Sequence, residues 1–517
     1  MVSQFGGSVQ NQRTIADHPV GLFVLFFTEM WERFSYYGMR AILVLFLTKS
    51  ILEDAWAWER DDALTLYAWY TGLVYLTPIF GGLLADKFLG YRNAVVLGAL
   101  IMTLGHASMA FEIFSSNYFF IGLSCLVIGN GFFKPNISSI VGQLYKDGDI
   151  RKDGGYTIFY MGINAGAFLG ILLCGYIGEK VGWHFGFGLA GIFMFFGMLQ
   201  FWFAQQIFGK IGLPPYKLKS ADTSKEEVQE TEPKKVQNDR LFVIIVFSLF
   251  TIFFWWAFEQ AGGSMTIFAD DYTERNLAGT ASQTFKIANS IITLVPMLIL
   301  TYVLYELFRN MLGKFLASNF FLGLSFAIIW GIVIWMIKRE FSSDVTKIPA
   351  SWFSVLNSLF IVIFAPVFSK LWASSLNPSG PIKFAIGLIL LGLGFSFLAY
   401  GSAGIPLGAK TASVSITWLI LAYLFHTLGE LCLSPVGLSY VSKLAPKRLV
   451  GLMFGFWFVC SALANFLAGW TGSFIDPISK SYGLSIFFLI FTAIPVFAGV
   501  LMLILNKTLI RKMHGIT

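Results

Sequence analysis

Residues 19–47 read PVGLFVLFFTEMWERFSYYGMRAILVLFL, a long apolar run that contains four charged side chains. The run exceeds the roughly 20 residues that an α-helix needs to cross a hydrocarbon core about 30 Å thick. A charged side chain near the centre of such a helix costs at least about 2.5 kcal/mol on insertion scales. The stretch therefore predicts a membrane helix that carries a functional site.

The polar side chains of this predicted helix share one face. At 100° per residue they fall within an arc of about 140°. The side chains in that arc are Glu29, Glu32, Arg33, Tyr36, Tyr37 and Arg40. Glu29 and Arg33 have a good spacing for an ion pair, so helix packing alone is the simpler alternative. Two carboxylates and two guanidinium groups exceed what packing needs, and we expect functional roles.

The composition of the whole chain agrees with a membrane protein. Of 517 residues, 56% are hydrophobic and 13% are charged, against about 25% charged residues in soluble proteins. A water-soluble globule is therefore excluded. Apolar windows of spanning length predict an all-α polytopic fold with about fourteen transmembrane helices. The predicted spans are 19–47, 64–85, 93–114, 117–142, 155–179, 185–206, 241–262, 287–308, 315–337, 350–372, 382–402, 413–438, 449–473 and 484–506.

The segment 207–240 separates the first six spans from the last eight. It is polar and rich in both charge signs, which is typical of a flexible linker. The predicted organisation is a six-helix bundle over 1–206, a cytoplasmic linker over 207–240, and a C-terminal bundle over 241–517. Two of the eight later spans, near 287–337, are predicted to be an inserted pair.

The net charge of +7 is interpreted as membrane topology. Lys and Arg concentrate on the cytoplasmic side of membrane proteins, and placing the N-terminus inside puts most of them there. Both termini are therefore predicted to be cytoplasmic, in the plasma membrane, with the lipid bilayer and no nucleic acid as partner. The four cysteines fall inside apolar windows without metal-ligand spacing, and no nucleotide-binding loop is present. We expect no metal and no cofactor.

An internal repeat is suggested at an offset of 300 residues. The stretch GNGFFKPNISSIVGQL from Gly129 lies over GELCLSPVGLSYVSKL from Gly429, with five identities. Chance similarity between two glycine-rich helices is the alternative. A parallel repeat of this kind belongs to the major facilitator architecture, with its substrate site between the halves near the bilayer midplane.

Charged residues also occur in other predicted spans, namely Lys134, Glu259 and Glu430. The spans together hold four glutamates against Arg33, Arg40 and Lys134. At full ionisation one carboxylate therefore has no partner. A carboxylate that alternates between a protonated state and an ion pair is what proton coupling requires.

These motifs carry a resemblance to a known family. Glu29-x-x-Glu32-Arg33-Phe34-x-Tyr36-Tyr37 matches in full the signature of the proton-dependent oligopeptide transporters (PTR2/POT) of the major facilitator superfamily. The supporting motifs are Gly81-Gly82-x-x-Ala85-Asp86, Lys134-Pro135-Asn136, Phe159-Tyr160-x-x-Ile163-Asn164-x-Gly166, Phe258-Glu259-Gln260, and Gly429-Glu430 with Ser434-Pro435. The inserted pair follows the seventh helix here, whereas familiar bacterial members carry it before that helix. The second span lacks the histidine that the mammalian branch uses for proton coupling. The segment 403–412 is also too short for the large extracellular domain of that branch. Both departures imply a bacterial type.

The resemblance implies a proton-coupled symporter that imports di- and tripeptides by alternating access, as a monomer. A relative that carries nitrate or another small anion is the alternative within transport. A membrane enzyme or receptor would be expected to show a catalytic constellation or a soluble domain, and neither is evident.

The resemblance also implies roles for individual residues. Proton coupling is expected at Glu29, Glu32, Arg40 and Glu259, with protonation of Glu259 releasing its pairing with Arg40. The peptide is expected to place its carboxylate at Arg33 and Lys134 and its amino terminus at Glu430. The remaining expected substrate contacts are Tyr36, Tyr37, Tyr75, Asn164, Trp255, Asn357, Trp457 and Ser461. The role of His426, one turn before Glu430, stays open.

The motif between the second and third helices has a structural interpretation. The motif predicts a tight turn with an ionic latch, and not a substrate contact, at Gly81, Gly82, Asp86 and Arg92.

Overall fold

The computed structural model describes residues 4–146, 148–218, 233–311 and 313–516. Within these ranges fourteen helices have 18 or more residues. They are α1 (Val20–Thr48), α2 (Arg60–Leu84), α3 (Tyr91–Ala110), α4 (Ser116–Gln143), α5 (Lys152–Lys180), α6 (Trp183–Ala204), α7 (Lys234–Phe258), α8 (Gly279–Met311), α9 (Leu316–Phe341), α10 (Val355–Trp372), α11 (Gly380–Gly401), α12 (Thr417–Leu444), α13 (Val450–Gly472) and α14 (Leu484–Lys512). Two short antiparallel strand pairs join β1 (Thr14–Ile15) with β2 (His18–Pro19) and β3 (Asn276–Leu277) with β4 (Thr346–Lys347).

Thirteen of the described helices are long and apolar enough to cross a membrane. The long helix outside that group is α1, because every 18-residue stretch of it carries at least three charged residues. The helix that its charged residues set apart is therefore the one that holds the predicted site. Its charged side chains are nevertheless buried within the protein.

The seventh helix begins earlier and ends more irregularly than the hydropathy pattern predicts. It starts at Lys234, inside the predicted linker 207–240, of which 219–232 lie outside the described residues. The α-helix ends at Phe258 and continues as a 3₁₀ turn over Glu259–Gly262, a short helix over Ser264–Ile267 and a π-helical turn over Phe268–Tyr272. The Glu259 carboxylate thus lies at a break in the helix.

Contacts between Cα atoms divide the described chain into two units. The first comprises 4–42, 77–218 and 275–352, and the second comprises 43–76, 233–274 and 353–516. The inserted pair, α8 and α9, belongs to the first unit, although it follows the seventh helix in sequence. Helices α1 and α2 each contribute residues to both units.

Within the first unit, helix α9 packs against α1 and α6 through aromatic and polar contacts. The rings of Phe203 and Phe321 are stacked with centroids 5.7 Å apart. Ser318 Oγ donates a hydrogen bond of 2.8 Å to the carbonyl oxygen of Gln200 on α6. Phe326 meets the ring of Trp31 on α1 at 5.8 Å. The inserted pair therefore covers the helix that carries the predicted site.

The suggested repeat has a structural counterpart in each unit. A Cβ atom on Gly129 of α4 would come within 2.7 Å of the Gly98 carbonyl oxygen on α3. A Cβ atom on Gly429 of α12 would come within 2.6 Å of the Gly387 carbonyl oxygen on α11. Both contacts require glycine because the two helix backbones touch. The aligned glycines thus serve the same packing purpose.

The predicted turn between the second and third helices is placed differently. Gly81 lies inside α2, where an added Cβ atom would come within 2.0 Å of the Gly131 carbonyl oxygen on α4. The chain turns later, at Gly90, whose φ of +72° favours glycine. Arg92 is buried and donates to the carbonyl oxygens of Ile211, at 2.5 Å, and Gly209. The glycine therefore serves helix packing, and Arg92 ties backbone segments together, so the predicted ionic latch is wrong for Arg92.

Candidate substrate and proton site

Three charged side chains of α1 form a buried ionic cluster in the first unit. Arg33 Nε lies 2.9 Å from Glu29 Oε1 and 2.6 Å from Glu32 Oε2. Glu32 is fully buried, and Glu29 and Arg33 are each 3% exposed. The structure therefore brings together the residues that the signature predicts. We refer to Glu29, Glu32 and Arg33 as the α1 cluster.

Helix α4 supplies two further polar groups to the α1 cluster. Asn130 Nδ2 donates a hydrogen bond of 3.1 Å to Glu32 Oε1. Lys134, one turn further along α4, is close enough for its charge to act on Glu32. Lys134 was predicted from its sequence motif, but Asn130 was not. The signal that could have identified Asn130 is its position one turn before Lys134, on the same helix face.

The tyrosines of the signature line the same face of α1. The guanidinium carbon of Arg33 lies 5.6 Å from the ring centre of Tyr36, and that of Arg40 lies 5.7 Å from the ring centre of Tyr37. The two rings are 5.0 Å apart, edge to face. Cation–π contacts of this kind orient a guanidinium group and add a modest attraction.

Close packing of α5 on α1 fixes the position of the α1 cluster. A Cβ atom on Gly166 would come within 2.1 Å of the Met30 carbonyl oxygen and 2.9 Å of Arg33 Cβ. The glycine of the predicted α5 motif is therefore required for this contact. Asn164 from the same motif is half-buried, and its Nδ2 donates 3.0 Å to the Tyr160 carbonyl oxygen of its own helix.

The second unit holds the other two predicted membrane carboxylates. Glu430 Oε2 accepts a hydrogen bond of 2.9 Å from Asn357 Nδ2, which also lies 3.1 Å from Thr427 Oγ1. Glu259 is buried, and its charge acts on Glu430. The structure thus brings Glu430, Asn357 and Glu259 together, and adds Thr427, which the sequence reasoning did not identify.

The remaining predicted contacts of the second unit are mainly aromatic. Trp255 is half-buried, with its ring 5.2 Å from that of Phe258. Trp457 is buried against α12, where a Cβ atom on Gly437 would come within 2.5 Å of its ring. Ser461 Oγ donates to the Trp457 carbonyl oxygen at 3.0 Å, so its hydroxyl is bonded within its own helix. Tyr75 of α2 is half-buried.

His426 fills an aromatic cluster. Its ring centroid lies 4.4 Å from that of Phe395 and 6.4 Å from that of Phe258. Both ring nitrogens are buried and have no hydrogen-bond partner among the described residues. An added Cβ atom on Gly394 would come within 2.4 Å of the His426 ring. These surroundings favour a packing role over a place in a proton path.

A second charged region of the second unit was not foreseen. A cavity of about 340 Å³ is lined by the end of α1, the start of α2 and the end of the seventh helix. Lys49 Nζ lies 2.6 Å from Asp270 Oδ2. Arg60 pairs with Asp271 at 2.8 Å and with Asp476 at 2.6 Å. We call this the ionic cavity.

The charges of the ionic cavity act on one another. Burial by itself lowers the pKa of Lys49, but the carboxylates of Asp270, Glu53 and Asp271 together outweigh this and hold the pKa above its ordinary value. The only sequence signal was an acidic pair, Asp270 and Asp271, directly after an apolar span. Hydropathy alone could not show which cations these carboxylates meet.

Comparisons with known proteins match nearly the whole chain. A family model described as PTR2, the POT family, matches residues 92–225 and 329–490. The peptide transporter YePEPT of Yersinia enterocolitica is 35% identical over 477 residues, covering 90% of this chain and 89% of that protein. A di-/tripeptide transporter of Lactococcus lactis subsp. cremoris is 32% identical, covering 98% of this chain and 99% of its own. Among solved structures, a mutant of the peptide transporter POT in complex with alafosfalin has a TM-score of 0.75 and 30% identity, covering 98% of both chains.

Proposed function

Because this chain belongs to the POT family, we propose that it is a proton-coupled symporter that imports di- and tripeptides by alternating access. Membership confirms the predicted family and the all-α membrane fold of the major facilitator type. The activity is transport, and not catalysis of a chemical change.

The relatives favour peptide over a small anion as the substrate. Those compared are peptide transporters or di-/tripeptide transporters. A peptide zwitterion needs an anion for its amino terminus, and the buried Glu430 with its Asn357 hydrogen bond supports that role. An inorganic anion such as nitrate would gain nothing from this carboxylate.

The α1 cluster is the observation that carries the proposal. Two buried carboxylates share one guanidinium group at 2.9 and 2.6 Å. Removing both carboxylates from water is costly unless each is paired or protonated. If a substrate carboxylate takes over Arg33, one glutamate gains a proton at lower cost. Binding of a peptide carboxylate and of a proton are thereby linked.

We assign the substrate contacts on this basis. Arg33 and Lys134 bind the peptide carboxylate, since guanidinium suits a carboxylate fork, and Glu430 binds the amino terminus. The other proposed contacts are Tyr36, Tyr37, Tyr75, Asn164, Trp255, Asn357, Trp457 and Ser461. A site that recognises the two peptide ends accepts many side chains, so selectivity is expected to be broad.

Proton coupling is assigned to Glu29, Glu32 and Glu259, with Arg40 as the cation that exchanges with Glu259. A protonated Glu259 releases Arg40. The free energy difference between the outward-facing and inward-facing orientations of the transporter then changes sign. We further propose a monomer in the bacterial inner membrane with both termini cytoplasmic. In sequence, the bundle over 1–206 is followed by the linker 207–240 and by 241–517, whose inserted pair near 287–337 groups with the first unit.

Uptake by the purified protein in liposomes tests the function. An acidic exterior should drive accumulation of a labelled dipeptide, and excess unlabelled dipeptide should compete. Nitrate at the same concentration should not compete. Competition by nitrate but not by dipeptides would contradict the proposal.

A further inference from the structure

Glu32 has one neutral hydrogen-bond partner of particular interest. Asn130 Nδ2 donates 3.1 Å to its Oε1, while Arg33 lies 2.6 Å from its Oε2. Asn130 is 1% exposed and Glu32 is fully buried. Neither side chain can exchange this contact for bulk water without a rearrangement of the helices.

The other end of the Asn130 amide is unused. Its Oδ1 is buried and has no hydrogen-bond partner among the described residues. A carboxylate only accepts hydrogen bonds, whereas a protonated carboxyl group also donates one. An asparagine amide carries a donor and an acceptor, and rotation about its last side-chain bond exchanges their positions. The Asn130 amide can therefore donate a hydrogen bond to the Glu32 carboxylate and accept one from the protonated Glu32 carboxyl group.

Tight helix packing holds Asn130 in this position. Its neighbour Gly131 faces α2, where an added Cβ atom would come within 2.8 Å of Thr77 Cβ. Gly129 on its other side contacts Gly98 of α3 in the same way. With both flanking residues in backbone contact, α4 cannot shift, and the side chain at 130 is kept against Glu32.

The charged groups around Glu32 are Glu29 and Arg33 on its own helix and Lys134 on α4. The other helices packed on this part of α1 meet it through uncharged residues, namely Gly166 and Gly170 of α5, Phe193 and Met194 of α6, and Phe326 of α9. Arg33 and Lys134 can donate hydrogen bonds but cannot accept one, so neither can accept a hydrogen bond from a protonated Glu32. Asn130 can bind it in either protonation state.

We propose that Asn130 is a positioning residue for proton coupling, which donates to the Glu32 carboxylate and, after its amide turns, accepts from the Glu32 carboxyl group. Glu32 then keeps a hydrogen bond when it gains a proton and releases Arg33 to a substrate carboxylate. This inference rests on the proposed proton-coupled function and assigns to it a residue outside the signature motif.

The pH profile of dipeptide uptake tests this role. Asn130→Leu has similar volume but can neither donate nor accept. The carboxylate form of Glu32 loses a stronger hydrogen bond than the protonated form does. The substitution therefore favours the protonated form, and the pH of half-maximal uptake should rise by about half a unit or more. Asn130→Thr keeps a hydroxyl that can donate or accept, and its profile should lie close to that of the wild type.

Peptide counterflow, which needs no net proton movement, controls for folding. Asn130→Leu should retain counterflow at saturating dipeptide. An unshifted Asn130→Leu profile, a loss that is equal at every pH, or an Asn130→Thr profile that follows the leucine variant would overturn the inference. If the wild type itself showed no pH-dependent uptake, the proposed function would fail instead, so the two failures are distinguishable.

Discussion

Glu430 is held in place by hydrogen bonds among its neighbours. Its carboxylate accepts from Asn357, which is in turn close to Thr427. Such preorganisation lowers the entropy cost of binding an amino terminus. The same contact leaves the second carboxylate oxygen available for a charged donor.

We therefore expect Glu430→Ala to weaken binding of a free dipeptide selectively. Loss of a hydrogen bond between charged groups costs about 1.5–3 kcal/mol, or roughly a 10- to 100-fold rise in the half-inhibitory concentration. An N-acetylated dipeptide lacks the amine charge, so its binding should change little. Competition uptake with both compounds measures the difference, with a variant of the exposed Asp344, Asp344→Ala, as control. Equal weakening of both compounds would remove the amino-terminus assignment.

We assign Glu259 to the proton step and not to peptide recognition. Its position at the break of the seventh helix places a buried carboxylate where backbone geometry is irregular. Glu259→Gln mimics the permanently protonated form. Accumulation driven by a pH gradient should be abolished, while counterflow remains in part. The exposed Asp344→Asn serves as control, and a parallel loss of accumulation and counterflow would argue against the coupling role.

At the scale of elements, a single glutamate fastens the inserted helix pair to α5. Glu179 accepts from the backbone nitrogens of Ala350, at 2.8 Å, and Ser351, at 2.9 Å, and from Ser351 Oγ at 2.6 Å. Arg275, at the entry to the pair, lies 3.8 Å from the same carboxylate. Both chain ends of the inserted pair thus meet at Glu179.

Replacing Glu179 should destabilise the first unit. Glu179→Ala leaves two backbone N–H groups without their acceptor, at about 1–3 kcal/mol each. We expect the thermal unfolding midpoint of the detergent-purified protein to fall by about 3 °C or more. Asp344→Ala, an exposed carboxylate in the same connecting segment, should leave it unchanged. A Glu179→Ala midpoint equal to that of the control would show that the pair is held by α9 packing alone.

Hydropathy predicts the helices well where they are apolar and poorly where they are polar. The eighth long helix was predicted over 287–308 but extends over Gly279–Met311, and the seventh begins at Lys234 instead of 241. Polar residues at helix ends carry no hydropathy signal, although their backbone continues the helix. The number and order of the spans are therefore predictable, but their ends are not.

In the candidate site, contacts within one helix can be predicted from the sequence, but contacts between distant segments cannot. The α1 cluster follows from sequence because Glu29, Glu32 and Arg33 lie on one helix with a fixed angular spacing. The hydrogen bond from Asn130 to Glu32 and the fastening of Arg275 at Glu179 join distant parts of the chain. No periodicity encodes such contacts, since they depend on how helices pack.

At the scale of the whole molecule, α1 and α2 are continuous helices that contribute to both units. Residues 43–76, which include the end of α1, pack with the seventh helix and α13 in the second unit. Thr71 Oγ1, for example, lies 3.4 Å from the Asn465 carbonyl oxygen. We expect the contacts of this segment with the seventh helix to open during transport.

A reversible cross-link in the ionic cavity should therefore stop transport. Lys49 and Asp270 form a close ion pair through a long lysine side chain, so Lys49→Cys with Asp270→Cys leaves a gap that a short bis-methanethiosulfonate cross-linker should bridge. Uptake should then fall to background and recover on reduction. Each single variant and the wild type, whose four cysteines are free, control for modification of other thiols. Full uptake by the cross-linked protein would show that this contact need not open.

The central claim is that uptake of a peptide against its concentration is driven by protons. It is tested most directly by following a labelled dipeptide in liposomes while the pH difference and the membrane voltage are collapsed together with ionophores. The account predicts that internal dipeptide falls to the external concentration as the two gradients vanish. Continued accumulation above the external concentration would contradict it.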